Sequence, residues 1–104
     1  MAATFKMAGY APNGTDTRTT VGATIVEPAT ICGTPDDETT HYLISVQTNP
    51  VMVTFDGTDP TASNGHLYAA GYGDFWTKQM AIKARWIRQG ASDAAVQATP
   101  FSYV

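Results

Sequence analysis

The side chains best suited to chemistry crowd into one run, VMVTFDGTDPTASNGHLYAAG, from Val51 to Gly71. Asp56 and Asp59 stand three apart around Gly57, as oxygen ligands do at the head of a calcium loop. Such a loop also needs oxygens at alternate positions and a closing Glu at the twelfth, and counting from Asp56 that position is Leu67. TASNGH lacks both the glycine spacing of a phosphate loop and its closing Lys-Ser/Thr pair. Ser63, His66 and Asp59 are the residue types of an acyl-transfer triad. That chemistry depends on fixed geometry and an oxyanion hole, which a polar turn does not supply. The run is better read as strand and turns. Asp59-Pro60 starts one turn, and Asn64-Gly65 supplies the positive φ angles of another.

Outside this run, the single cysteine Cys32 has only His41 and His66 as basic partners. A nucleophilic thiol needs such a partner close by, and TICG reads instead as a small buried anchor. A lone cysteine excludes an intramolecular disulfide. The two histidines lack a metal-ligand spacing. Asp36, Asp37 and Glu38 form a solvated acidic face or a contact for a basic partner. The expectation is therefore no catalytic residue, no cofactor, no metal site and no enzyme.

The elements that must position these residues follow from period and punctuation. Thr4 to Tyr10 is β-friendly, and APNGTD after it is a turn cluster. TRTTVGATIVEP reads as a strand ending near Pro28, and ATICGTPDDETT as an exposed loop anchored at Ile31 and Cys32. HYLISVQT puts Tyr42, Ile44 and Val46 on one face; VMVTF does the same for Val51, Val53 and Phe55. Asn49-Pro50 between them predicts an antiparallel hairpin. Thr77–Ala84 is the only helical candidate, one or two turns of good helix formers, before ARWIR resumes alternation. QGASD is a turn. AAVQATPFSYV is a last strand whose Pro100 suits an edge or a bulge. Phe75, Trp76, Trp86, Phe101 and Tyr103 read as core rings, whereas Tyr68 and Tyr72, flanking Gly71, read as contact residues.

Six or seven short strands with one helical turn predict an all-β fold, a small antiparallel sandwich or barrel. At 104 residues the chain suits a single domain, with a strand-and-loop part over 1–40 and a β-hairpin core over 41–104. Charged residues are only 14% of the sequence, against roughly 25% in ordinary soluble domains. A surface filled with Thr, Ala and Gly instead packs against neighbours at little desolvation cost. Six Lys and Arg at net charge −3 build no basic stripe, which argues against direct nucleic-acid binding. No apolar run approaches a membrane span or a signal peptide, so neither membrane insertion nor secretion is expected.

Half of the chain, roughly Val51 to Phe101, resembles a module of small structural proteins of tailed bacteriophages. There a V-TFDG-PT-SNGH-L-AG run leads through a short turn to an IR-G-SDA-V hairpin. The matching residues are Val53, Thr54, Phe55, Asp56, Gly57, Pro60, Thr61, Ser63, Asn64, Gly65, His66, Leu67, Ala70, Gly71, Ile87, Arg88, Gly90, Ser92, Asp93, Ala94 and Val96. The resemblance implies a β-sandwich of the virion, made in the host cytoplasm. On that footing the expected function is a decoration or cement protein on the outer surface of the phage head. Its partners would be the major capsid protein and copies of itself, as dimer or trimer. The alternative is a low-copy neck, tail or fibre component with an adaptor or host-binding role. The expected contact residues are Thr4, Phe5, Lys6, Met7 and Tyr10, then Asp36, Asp37, Glu38 and His41, and finally Tyr68 and Tyr72. Arg88 is expected to pair with Asp93 or with Asp56.

Overall fold

Alternating residues produce strands here, and proline and glycine end them. In the computed structural model, which describes residues 9–103, eight strands form two antiparallel sheets. β1 (Tyr10–Pro12) and β2 (Thr17–Val21) lie end to end along one side of the long strand β8 (Ala94–Tyr103). β3 (Thr39–Gln47) occupies the other side of β8, and β6 (Gly73–Thr77) follows β3. The second sheet has the order β5 (His66–Tyr68), β4 (Val51–Thr54), β7 (Arg85–Arg88). Two helices of about one turn complete the described chain, α1 (Pro28–Cys32) and α2 (Lys78–Ala81). The all-β antiparallel sandwich agrees with the sequence reading, with eight strands in place of six or seven and two helical turns in place of one.

The second helix is where the sequence puts it, with Thr77 Oγ1 accepting from Met80 N at 3.3 Å as its N-cap. The first replaces part of the loop expected over Ala29–Thr40. Pro28 does not end a strand; it opens α1, where its fixed φ is pre-set for a helix and its missing N–H costs nothing. Gly33, at φ +64°, ends the turn.

The core lies between the sheets. Val21, Tyr42, Ile44, Val46, Trp76, Val96 and Ala98 face inward from the first sheet, and Val51, Val53 and Trp86 from the second. Trp76 and Trp86 stack across the interface with ring centroids 5.3 Å apart and planes 12° from parallel. Fully burying a large apolar side chain contributes roughly 1.5–3 kcal/mol, so these two rings are the largest single contributors. Trp76 Nε1 donates to Tyr72 Oη at 2.8 Å. Trp86 Nε1 is buried and has no acceptor among the described residues.

The hairpin expected across Asn49-Pro50 does not form. β3 pairs with β6 and β8, whereas β4 pairs with β5 and β7, so Thr48–Pro50 is a corner carrying the chain from one sheet to the other. Period two fixes which residues share a face and leaves open which strand lies alongside. Thr48 turns this corner at φ +71°. The ARWIR and AAVQ strands are likewise split between sheets, β7 in one and β8 in the other. The two corners brace each other: Asn49 Nδ2 donates to Asp93 O at 2.9 Å, and Thr48 Oγ1, whose nearest acceptor is Gln47 O at 2.5 Å, lies 3.4 Å from the same Asp93 oxygen. Arg88 pairs with Asp93 at 2.7 Å, one of the two partners expected for it.

Pro100 sits in the central strand rather than at an edge. Its carbonyl accepts from Asn13 N at 3.0 Å, so its missing N–H points toward the β1–β2 side. There it falls in the gap between the rungs of β2, which end at Ala98, and those of β1, which begin at Phe101. The break between two short partner strands is what tolerates the proline.

Candidate docking surface

Strand alternation that sends Tyr42, Ile44 and Trp76 inward sends their neighbours His41, Leu43 and Phe75 outward. The register then gathers rings on the outer face of the first sheet. Tyr10 lies opposite Tyr103, Phe101 opposite His41, and Phe75 opposite Leu43. The rings touch. Tyr10 stacks on Tyr103 at 4.8 Å and meets His41 edge-on at 5.0 Å, while Phe75 meets Phe101 edge-on at 5.0 Å. Tyr103 is 67% exposed, Phe75 50% and Tyr10 38%, and it is their contiguity rather than any one exposure that marks the face. Tyr10, His41 and Phe75 wall a recess of about 140 Å³.

The face carries few polar handles. Tyr10 Oη donates to Tyr103 Oη at 3.2 Å, and this bond, which ionisation would break, raises the Tyr10 phenol above its ordinary range. His41 Nδ1 lies 2.9 Å from Thr40 Oγ1. Beside the rings, the exposed acids Asp36, Asp37 and Glu38 lead into β3. Their turn is fixed by Glu38 N donating to Asp36 Oδ1 at 2.7 Å and by Lys78 Nζ donating to Asp36 O at 3.3 Å.

The expected contact residues are thus distributed unevenly. Tyr10 and His41 belong to the aromatic face, with the acidic turn at its border. Thr4, Phe5, Lys6 and Met7 lie outside the described residues. Tyr68 and Tyr72 are half-buried, their rings 5.3 and 6.5 Å from Trp76. Phe75 and Tyr103 correct the reading of these rings as core, and half-buried Phe101 lies with them on the outer face. A signal for this was present: Phe75 and Trp76 are adjacent in a strand, so only one of them can face inward.

The Val51–Gly71 run folds as strand, turns and strand. β4 pairs with β5, and Thr61 and Asn64 close the turn with reciprocal backbone bonds of 3.0 and 3.3 Å. Asp56 Oδ1 accepts from Thr58 Oγ1 at 2.6 Å, which holds its carboxyl below the ordinary range. Asp59 pairs with Arg85 at 2.6 Å, and Arg85 reaches Glu27 at the same distance. Those ion pairs fasten the turn to the approach to α1. Ser63 N donates to Thr61 Oγ1 at 3.2 Å. Among the described residues no group of three or more His, Cys, Asp or Glu side chains is placed to hold a metal ion. Burial pushes the Cys32 thiol up to about 11, leaving it protonated at neutral pH.

No family model, curated protein or solved structure matches this chain. The residues on which the sequence resemblance rests fall in two places in the fold. Those from Val53 to Gly71 span β4, its turns, β5 and the turn after it, while Ile87 to Val96 form the second inter-sheet corner with its flanking strands. The aromatic face lies on neither.

Proposed function

We propose that the chain is a bacteriophage capsid decoration protein that binds the outside of the head and stabilises the major capsid lattice. The observation that carries this reading is the contiguous face formed by the exposed rings of Tyr10, Phe75 and Tyr103 with half-buried Phe101 and His41. Aromatic residues are enriched and charged ones depleted at the centres of protein interfaces. A connected apolar face on a small domain marks a place where a partner sits. Low overall charge and the phage-module resemblance of β4, β5 and the second corner support the same reading. The partner surface would be the capsid lattice, with copies of the chain gathered as dimers or trimers around a local symmetry axis.

One observation favours a second reading. The stacked Tyr10–Tyr103 pair offers ring faces of the kind that hold sugars, which would suit a low-copy neck, tail or fibre component reading a host glycan. Copy number separates the two. The chain is quantified against the major capsid protein in purified virions by mass spectrometry. A ratio near one, or a simple fraction of it, is expected; a handful of copies per particle would move the protein to the neck, tail or fibres.

A further inference from the structure

The sequence contains two Asn-Gly pairs, Asn13-Gly14 and Asn64-Gly65, and the fold treats them differently. In such a pair the following amide nitrogen can attack the asparagine side-chain carbonyl carbon, because glycine puts no side chain in the way. The glycine N–H gives up its proton to base, a new N–C bond closes a five-membered succinimide, and ammonia leaves. Water then opens the ring at either carbonyl to give aspartate or isoaspartate. The reaction needs a side-chain amide free to rotate and a backbone nitrogen free to approach it.

Asn13 lacks the first of these freedoms. Its Nδ2 donates to Thr39 Oγ1 at 3.2 Å, and Thr39 Oγ1 lies 3.4 Å from its Oδ1. Its own N–H donates to Pro100 O at 3.0 Å, which ties the residue to β8. Asn64 is exposed, and its bonds with Thr61 use only backbone atoms. Among the described residues the Asn64 side chain has no hydrogen-bond partner, and this is where the two sites differ. We infer that Asn64 is a built-in site of self-modification, converting to aspartate and isoaspartate in the folded protein while Asn13 is protected.

The products would matter locally. Each adds a negative charge to a turn that already carries Asp56 and Asp59. Isoaspartate also lengthens the main chain by one carbon, next to a glycine whose backbone is seated against Val53. At Gly65, with φ +137°, a Cβ would lie 3.0 Å from Val53 O, so the added length has little room between β4 and β5.

The test uses the full folded chain, incubated at mildly alkaline pH and physiological temperature, then digested and mapped by mass spectrometry with isoaspartate detected enzymatically. A parallel sample is incubated in concentrated urea. In the folded sample Asn64 is expected to react about tenfold or more faster than Asn13, since each net hydrogen bond holding a group shifts its equilibrium several-fold. In urea the two sites should react at similar rates. Asn64→Gln should abolish the folded-state product, and Thr39→Val should release Asn13. Equal rates in the folded sample, or an Asn64 that reacts in urea but stays intact when folded, would overturn the inference.

Discussion

At the scale of single residues, the two tryptophans are packed between the sheets while the exposed phenylalanine beside one of them faces away. Trp86 is 1% exposed and stacked on Trp76. Trp86→Ala should cost about 3–5 kcal/mol in urea unfolding, the range for aromatic truncations in cores. Phe75→Ala, half in solvent, should change stability by less than about 1 kcal/mol, because its packing is with other surface rings. Unequal losses of this kind would confirm which ring is core. Cys32 and Tyr42 set the alkaline limit. Burial raises the thiol from 9.0 to about 11 and the phenol from 10.0 to about 12. Both groups are held neutral in the fold, so the unfolded chain ionises first as pH rises. Their stabilisation is complete below pH 9 and drains away between 9 and 12. Thermal midpoints should fall across that window, and Cys32→Ala should fall less steeply between 9 and 11.

At the scale of elements, the corners decide the topology. Thr48 carries a β-branched side chain at φ +71°, a conformation that costs a non-glycine residue about 1–3 kcal/mol. Asparagine tolerates that region far better. Thr48→Asn should therefore raise the unfolding free energy by about 1 kcal/mol once the lost Thr48 hydroxyl bond is offset, measured by urea unfolding. A fall in stability would mean that the hydroxyl matters more than the dihedral. These corners also explain what the sequence concealed. The inward faces of β3 and β4 were legible from Tyr42, Ile44, Val46, Val51 and Val53, because period two is a local property. That β3 and β4 belong to different sheets was not legible, since Asn49-Pro50 is as compatible with a hairpin as with a corner. Pro28 was ambiguous in the same way, being able to end a strand or open a helix. The turn over Asp59–Gly65 was legible because its residues demand it, though only Gly65 of the Asn64-Gly65 pair takes a positive φ. The aromatic face was half legible. Tyr10 and His41 were reached from their chain positions, while Phe75 and Tyr103 were misread as core because ring size outweighed strand parity.

At the scale of the whole molecule, a stable interior and an apolar exterior are separated by one layer of backbone. The outer rings can be changed without touching the core beneath them. The double variant Phe75→Ser, Tyr103→Ser should fold with an unchanged thermal midpoint and, on the proposed capsid reading, fail to rebind phage heads that lack the protein, measured by co-sedimentation. Full rebinding by the double variant would rule out this face as the docking surface. Because β8, the last strand, pairs with β1, β2 and β3 from the first half of the chain, the first sheet cannot be finished until it arrives. Pairings so distant in sequence place refolding in about the millisecond-to-second range.

The pairing of Tyr10 with Tyr103 sets the direction in which this molecule is mechanically weak. β1 and β8 are antiparallel and meet at their outermost residues, so tension applied between them peels the strands apart one rung at a time, as a zipper opens. Tension spread over the outer face of the sheet would instead be shared by many rungs at once. A shell under internal pressure would be resisted well by copies gripped through their faces, and poorly by copies tethered through their ends.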